Sequence, residues 1–149
     1  MIDDMYNKQI LALALDIPRI GRLAAPQATA TRHSRLCGSR ITVDVVVADG
    51  RVADYAQEVK ACALGQASAS ILARSVIGAT PAEIRAARDG LRAMLKDGAA
   101  PPTGRFSDLA LLEPVRDYKA RHTSTMLPFD ATCEALDAIE ADGSVATTA

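Results

Sequence analysis

The sequence predicts an α+β domain: a small antiparallel sheet of about three strands with helices packed on one face. Three observations carry that expectation. Between Arg40 and Lys60, Ile41, Val43, Val45 and Val47 alternate with Thr42, Asp44 and Val46, the period-2 pattern of a strand with one buried face. Asp49-Gly50 then offers a two-residue hairpin turn, since both positions tolerate positive φ, and Val52 to Val59 returns as the partner strand. Beyond Cys62 the apolar spacing turns helical, so strands come first and helices follow without alternating, which favours α+β over α/β.

The remaining elements follow in order. "DDMYNKQILALALDIP" reads as a first helix, with Asp3 or Asp4 as cap, Ile10, Leu11 and Leu15 as apolar surface and Pro18 as the stop. "RIGRLAAPQATATRHS" is a loop leading to an edge strand near Thr29 to Arg35. The helix opening at Cys62 runs through Ala67 and Ile71 to Val76-Ile77, with Gly78 as its C-cap. "ATPAEIRAARDGLRAMLKDG" is a second helix. Thr80 caps it, Pro81 takes the first position, and Glu83 completes a capping box. Ile84, Ala87, Leu91, Met94 and Leu95 form its apolar stripe; Arg85 and Asp89 are spaced to pair, and the Arg85, Arg88 and Arg92 face reads as solvated surface. Gly98 to Arg105 is an exposed linker, "FSDLALLEPVRDYKARH" a short helix broken near Pro114 and then a loop. "TMLPFDATCEALDAIE" is the last helix, with Pro128 tolerable only in its first turn. Residues 1–142 are taken as one domain and 143–149 as a disordered tail.

Composition narrows the function classes. Half the chain is apolar (49%), while aromatics are only 3% and Trp is absent, so Ala, Leu, Ile and Val are expected to build the core. The net charge of −1 with mixed signs argues against a nucleic-acid surface or an anionic membrane surface. No apolar run reaches the roughly 18 residues of a membrane span. The N-terminus opens on Asp3 and Asp4 without a basic region, so no signal peptide is expected and the compartment expected is the cytoplasm. Three cysteines without a CxxC do not make a disulfide framework.

The cysteines carry the chemistry. Cys62 stands where a strand gives way to a helix, so unpaired N–H groups and the helix dipole favour its thiolate. The run from Ala63 to Ser70 is nearly free of bulk and leaves room for close approach. The alternative is a small buried hydrophobe at a tight join. Cys37 lies beside Gly38 just before the hairpin. Because Arg40 and Lys60 fall roughly opposite each other around the Asp49-Gly50 turn, Cys37 and Cys62 are expected at one end of the sheet, the geometry of soft-metal ligation. Cys133 shares a helical face with Phe129 and Leu136 and reads as core. His33 reads as a solvent-facing strand histidine.

"CGSRITVDVVVADGRVADYAQEVKACALGQASAS" resembles the core of the IscU/NifU N-terminal scaffold family of iron–sulfur cluster assembly, over about residues 3–140. The segment from Pro81 to Gly104 resembles the longer, SufU-like branch. The resemblance implies Cys37 and Cys62 as metal ligands and sulfur-accepting thiols, and a transient iron–sulfur cluster or zinc as the bound group. It further implies a cysteine desulfurase and cluster-recipient proteins as partners, and a scaffold or sulfur carrier more than an enzyme. Two positions depart from the family pattern. Ser39 stands at its aspartate, and in "RHTSTMLPF" Arg121 matches its arginine while Ser124 stands at its third cysteine. Neutral hydroxyls are poor ligands, so metal is expected to bind weakly or not at all unless His122, also expected to line the site, compensates. Two other readings follow: a degenerate relative that binds no metal and serves as an interaction or regulatory module, and a Cys37–Cys62 redox dithiol, which requires Cα atoms within about 7 Å.

Overall fold

The computed structural model describes residues 7–35 and 38–147, with side chains to Asp142. Its centre is the hairpin. β2 (Ser39–Ala48) and β3 (Arg51–Lys60) pair antiparallel around Asp49 (φ 55°) and Gly50 (φ 75°), the two positive values that a type I′ turn requires. Arg40 lies opposite Lys60, one residue beyond the Val59 that the turn alone would place there, because the register shifts between Val46 and Val47. β1 (Ala28–Ser34) pairs with the other edge of β2, giving the order β1-β2-β3, and places Ser34 opposite Ser39. Ile41, Val43 and Val45 are buried as the alternation requires. A register shift between Val46 and Val47 ends that regularity, and Val47 is only half-buried.

Asp44 points to the opposite face, yet it is fully buried. The segment after the first helix folds over it. Arg22 Nε donates to its carboxylate at 2.7 Å, the Leu23 N–H at 2.9 Å, and Thr29, its cross-strand neighbour, at 2.6 Å. Burial pushes the Asp44 carboxyl up, but these donors and the Arg22 charge outweigh it and hold the group below its ordinary value. The same segment also protects the sheet's edge: Ile20 bridges to Gln57, with Gly21 N–H donating to the Gln57 carbonyl and Gln57 N–H to that of Arg19.

Helices cover the other face. α1 (Lys8–Leu15) is capped by Asn7, whose side chain accepts from the Ile10 N–H; Asp3 and Asp4 lie outside the described residues. Its inner residues are Ile10 and Ala14, whereas Leu11 and Leu15 face outward, so only one of the three expected apolar positions enters the core. α2 (Ala63–Ser75) ends at Val76, and the expected cap Gly78 lies two residues further, at φ 86°, donating its N–H to the Val52 carbonyl. α3 (Pro81–Asp97) has the expected capping box of Thr80 and Glu83, Pro81 at its first position, and the five apolar residues of its stripe buried.

The 3-10 stretch from Gly104 to Asp117 runs through Pro114, so the expected break is absent. Its buried residues Phe106, Leu109, Leu112 and Val115 recur every third position, the repeat of a helix with three residues per turn. A short 3-10 turn, Lys119–Arg121, leads into α4 (His122–Thr147), which begins earlier than the sequence suggests and carries Pro128 in its second turn. Pro128 has no N–H to give the carbonyl four residues back, which is that of Ser124.

α4 packs over β1 and β2 and against α2 and α3. Arg85 pairs with Asp137 and Glu140 and not with Asp89, while Arg92 reaches Asp130 as well as Asp89. The arginine face of α3 therefore bridges to α4 and is not a merely solvated surface. Three aromatics also enter the core: Tyr55 is buried, and Phe106 meets Phe129 edge-on at 5.9 Å between ring centroids.

Candidate functional site

The end of the sheet opposite the Asp49-Gly50 turn brings three elements together. Cys62 follows β3 and occupies the N-cap position of α2, with φ −67° and ψ 171°, and its carbonyl accepts the first helical bond from Gln66. Ser39 opens β2, and Ser124 lies in the first turn of α4. The Ser124 hydroxyl stands 3.3 Å from Cys62 Sγ and 3.1 Å from Ser39 Oγ. Both serines are buried and Cys62 is half-buried. The two serines and Cys62 are thus one hydrogen-bonded cluster.

Small residues make this contact possible. A Cβ on Gly65 would lie 2.8 Å from Ala61 Cβ, 2.9 Å from Ser124 Oγ and 3.2 Å from the Ser124 carbonyl oxygen. The glycine therefore lets the first turn of α2 rest directly on α4, and the run of small residues that follows Cys62 has a steric role. Sequence reasoning did not find Ser34. Buried opposite Ser39, its hydroxyl has no hydrogen-bond partner among the described residues.

Burial pushes the Cys62 thiol up; the Ser124 hydroxyl, the N–H groups of Gly65 and Leu64 and the charge of Arg121 more than offset this, leaving it below the ordinary thiol value. Cys133 is 1% exposed within the core, and burial pushes its thiol up to about 11. Alkylation followed against pH should therefore modify Cys62 well before Cys133. The Cys62 rate should rise through a midpoint below that of an ordinary thiol, and Cys133 should react only on unfolding. Equal rates for the two would overturn the burial and helix-end assignments.

His122 does not line this cluster. Two residues from Ser124 is a rotation of about 200° on an α-helix, and its Nε2 donates at 3.1 Å and 3.0 Å to the carbonyls of Val115 and Arg116. His33 is exposed on β1. Cys37 lies outside the described residues. No group of three His, Cys, Asp or Glu side chains among the described residues is placed to hold a metal ion. The cluster itself offers one thiol and two neutral hydroxyls, a donor set that does not fit a tight zinc site.

Comparison with known proteins places this geometry in context. The family model for the NifU-like N-terminal domain matches residues 5–125. An iron–sulfur cluster assembly scaffold protein IscU from Thermotoga maritima is 29% identical over 135 residues, covering 91% of this chain and 94% of its own length. Among solved structures, a NifU-like protein (N-terminal) from Brucella abortus superposes with a TM-score of 0.92 at 59% identity, over 93% of this chain and 96% of that one. A putative SUF-system iron–sulfur scaffold from Fervidobacterium islandicum superposes at 0.82 with 19% identity, over 90% and 98% of the two chains, a likeness of fold. No helix among the described residues is long and apolar enough to cross a membrane.

Proposed function

The chain belongs to the NifU-like N-terminal domain family, and from that premise we propose that it works in iron–sulfur cluster assembly, with Cys62 accepting sulfur from a cysteine desulfurase for onward passage to cluster-recipient proteins. The observation that carries this reading is the Cys62 thiol itself: half-buried, at the start of α2, and 3.3 Å from the Ser124 hydroxyl. Sulfur transfer needs one nucleophilic thiolate, whereas holding a cluster on a single chain needs several anionic ligands. Ser39 and Ser124 supply none.

The step is an exchange at sulfur. The Cys62 thiolate attacks the terminal sulfur of the desulfurase persulfide, the S–S bond of that persulfide breaks, and its electron pair leaves on the desulfurase cysteine as thiolate. Cys62 then carries the persulfide, and no external oxidant or reductant is consumed. The Ser124 hydroxyl and the α2 N–H groups stabilise the anionic sulfur. Ser39, hydrogen-bonded to Ser124, helps hold that hydroxyl in place.

Anaerobic incubation with a cysteine desulfurase and cysteine, read by intact-protein mass spectrometry, tests this. Wild type and Cys133→Ala should gain the mass of one sulfur atom in a form that reductant removes, and Cys62→Ala should not. Full loading of Cys62→Ala would move the role to Cys37. No loading of wild type would favour the second reading, an interaction or regulatory module that binds no metal, which the serines at two ligand positions support.

A further inference from the structure

A cavity of about 430 Å³ lies beside the first turn of α4, and neither Ser124 nor Cys62 is among the described residues that line it. It opens between the last turn of α3, the end of the 3-10 stretch and the start of α4. The described residues lining it are Leu95, Lys96, Arg116, Lys119, His122 and Thr123. Three of these six are permanent cations, and none is a carboxylate. That volume falls within the range of small-molecule sites.

The cations are differently committed. Arg116 is fixed in place: its Nε donates to the Met94 carbonyl at 3.2 Å and its Nη2 to Glu113 at 3.0 Å. Lys96 belongs to the last turn of α3, where the helix dipole favours a cation, and this accounts for one charge of the three. Lys119 lies exposed in the 3-10 turn Lys119–Arg121, whose three residues carry little dipole. Neither lysine forms an ion pair or a side-chain hydrogen bond among the described residues. Glu113 neutralises part of the Arg116 charge, and Asp130, on α4, feels Lys96 without an ion pair. His122 forms a rigid wall, because its bonds to the Val115 and Arg116 carbonyls pin the ring and the backbone that carries Arg116. Thr123 adds an exposed hydroxyl and Leu95 an apolar side.

We propose that this cavity binds a small anion bearing two or more phosphate groups. A multivalent oxyanion matches convergent cations better than a single carboxylate, which satisfies only one of them. A guanidinium held in a fixed plane, with two ammonium groups on flexible stems, suits the spread oxygens of a diphosphate. The site is independent of Cys62, so it stands or falls separately from sulfur transfer.

Titration calorimetry at low ionic strength tests it, with pyrophosphate and ATP as separate probes. Saturable binding of both assigns a diphosphate site; binding of ATP alone assigns a nucleotide. Lys96→Gln with Lys119→Gln should weaken binding about tenfold or more, and added salt should weaken it in the wild type. Lys8→Gln, at the start of α1, and Cys62→Ala should leave it unchanged. Failure of both probes to saturate at millimolar concentration, or undiminished binding by the double variant, would overturn the proposal.

Discussion

Replacing Ser39 by Asp and Ser124 by Cys together is expected to raise zinc affinity by orders of magnitude. The wild-type cluster already has nearly the right spacing. On one tetrahedral zinc, two thiolates stand about 3.8 Å apart and a thiolate and a carboxylate oxygen about 3.6 Å, from bond lengths near 2.3 and 2.1 Å. Position 124 places its side-chain oxygen 3.3 Å from Cys62 Sγ and 3.1 Å from Ser39 Oγ, so the three side chains already face one another at close to ligand separations. What wild type lacks is charge. A hydroxyl gives zinc a neutral oxygen, whereas the double variant provides a thiolate and a carboxylate beside Cys62, with Cys37 as the fourth ligand the family resemblance implies. A complete structural set is worth roughly 10–16 kcal/mol. Each single change should therefore deliver less than half of the double's gain in free energy, since three good ligands leave one position to water. Competition against a chromophoric zinc chelator measures all four proteins. A double variant no better than wild type would show that the new side chains do not converge on Cys62. Tight binding by wild type would point to ligands from a second chain, because Cys37 is already counted and His122 is turned away.

The parts of this fold legible in the sequence are those fixed by local chemistry. An Asp-Gly turn sets register, so counting outward from Asp49 and Gly50 brings Arg40 to within one residue of its partner Lys60; the shift between Val46 and Val47 supplies the remaining step. A capping box is a four-residue signal, and the one at Thr80 and Glu83 formed as read. The missed features depend on other parts of the chain. The Asp44 carboxylate sits on the polar side of an alternating strand; only the return of Arg22 and Leu23 over that face buries it. Arg85 has a suitably spaced acid in Asp89 but finds Asp137 and Glu140 on a neighbouring helix. The 3-10 stretch did leave a trace, the spacing of Phe106, Leu109, Leu112 and Val115, which a search for 3.6-residue periodicity passes over. Within the site, the Ser124 hydroxyl lies within hydrogen-bond distance of both Cys62 and Ser39, while the direction of His122 depends on where α4 begins. Starting at His122 instead of near Thr125 places residues 122 and 124 on opposite sides of one helix.

Gly65→Ala is expected to destabilise the protein and to separate Cys62 from Ser124, although alanine is the better helix former. In an open helix interior the exchange would gain about 1 kcal/mol. Here the added Cβ would stand 2.8 Å from Ala61 Cβ, 2.9 Å from Ser124 Oγ and 3.2 Å from the Ser124 carbonyl oxygen. Ala61 and the Ser124 backbone cannot rotate away, so α2 must shift from α4, at an overpacking cost of about 1–3 kcal/mol that exceeds the propensity gain. The shift lengthens the Sγ–Oγ contact, so Cys62 loses its hydroxyl partner and its alkylation midpoint should move up towards that of an ordinary thiol. Ser124→Ala removes the hydroxyl but keeps the backbone, so it should raise the midpoint in the same direction while costing less stability. Combining the two separates steric from polar effects. With Oγ absent one of the three close contacts disappears, so the double variant should be more stable than the sum of the single losses predicts, by roughly 0.5 kcal/mol or more. Urea unfolding of the four proteins measures that coupling. Strict additivity, or a Gly65→Ala protein more stable than wild type with an unchanged Cys62 midpoint, would mean that α2 and α4 are not in contact at this point and that the Cys62–Ser124 hydrogen bond does not set the reactivity of the thiol.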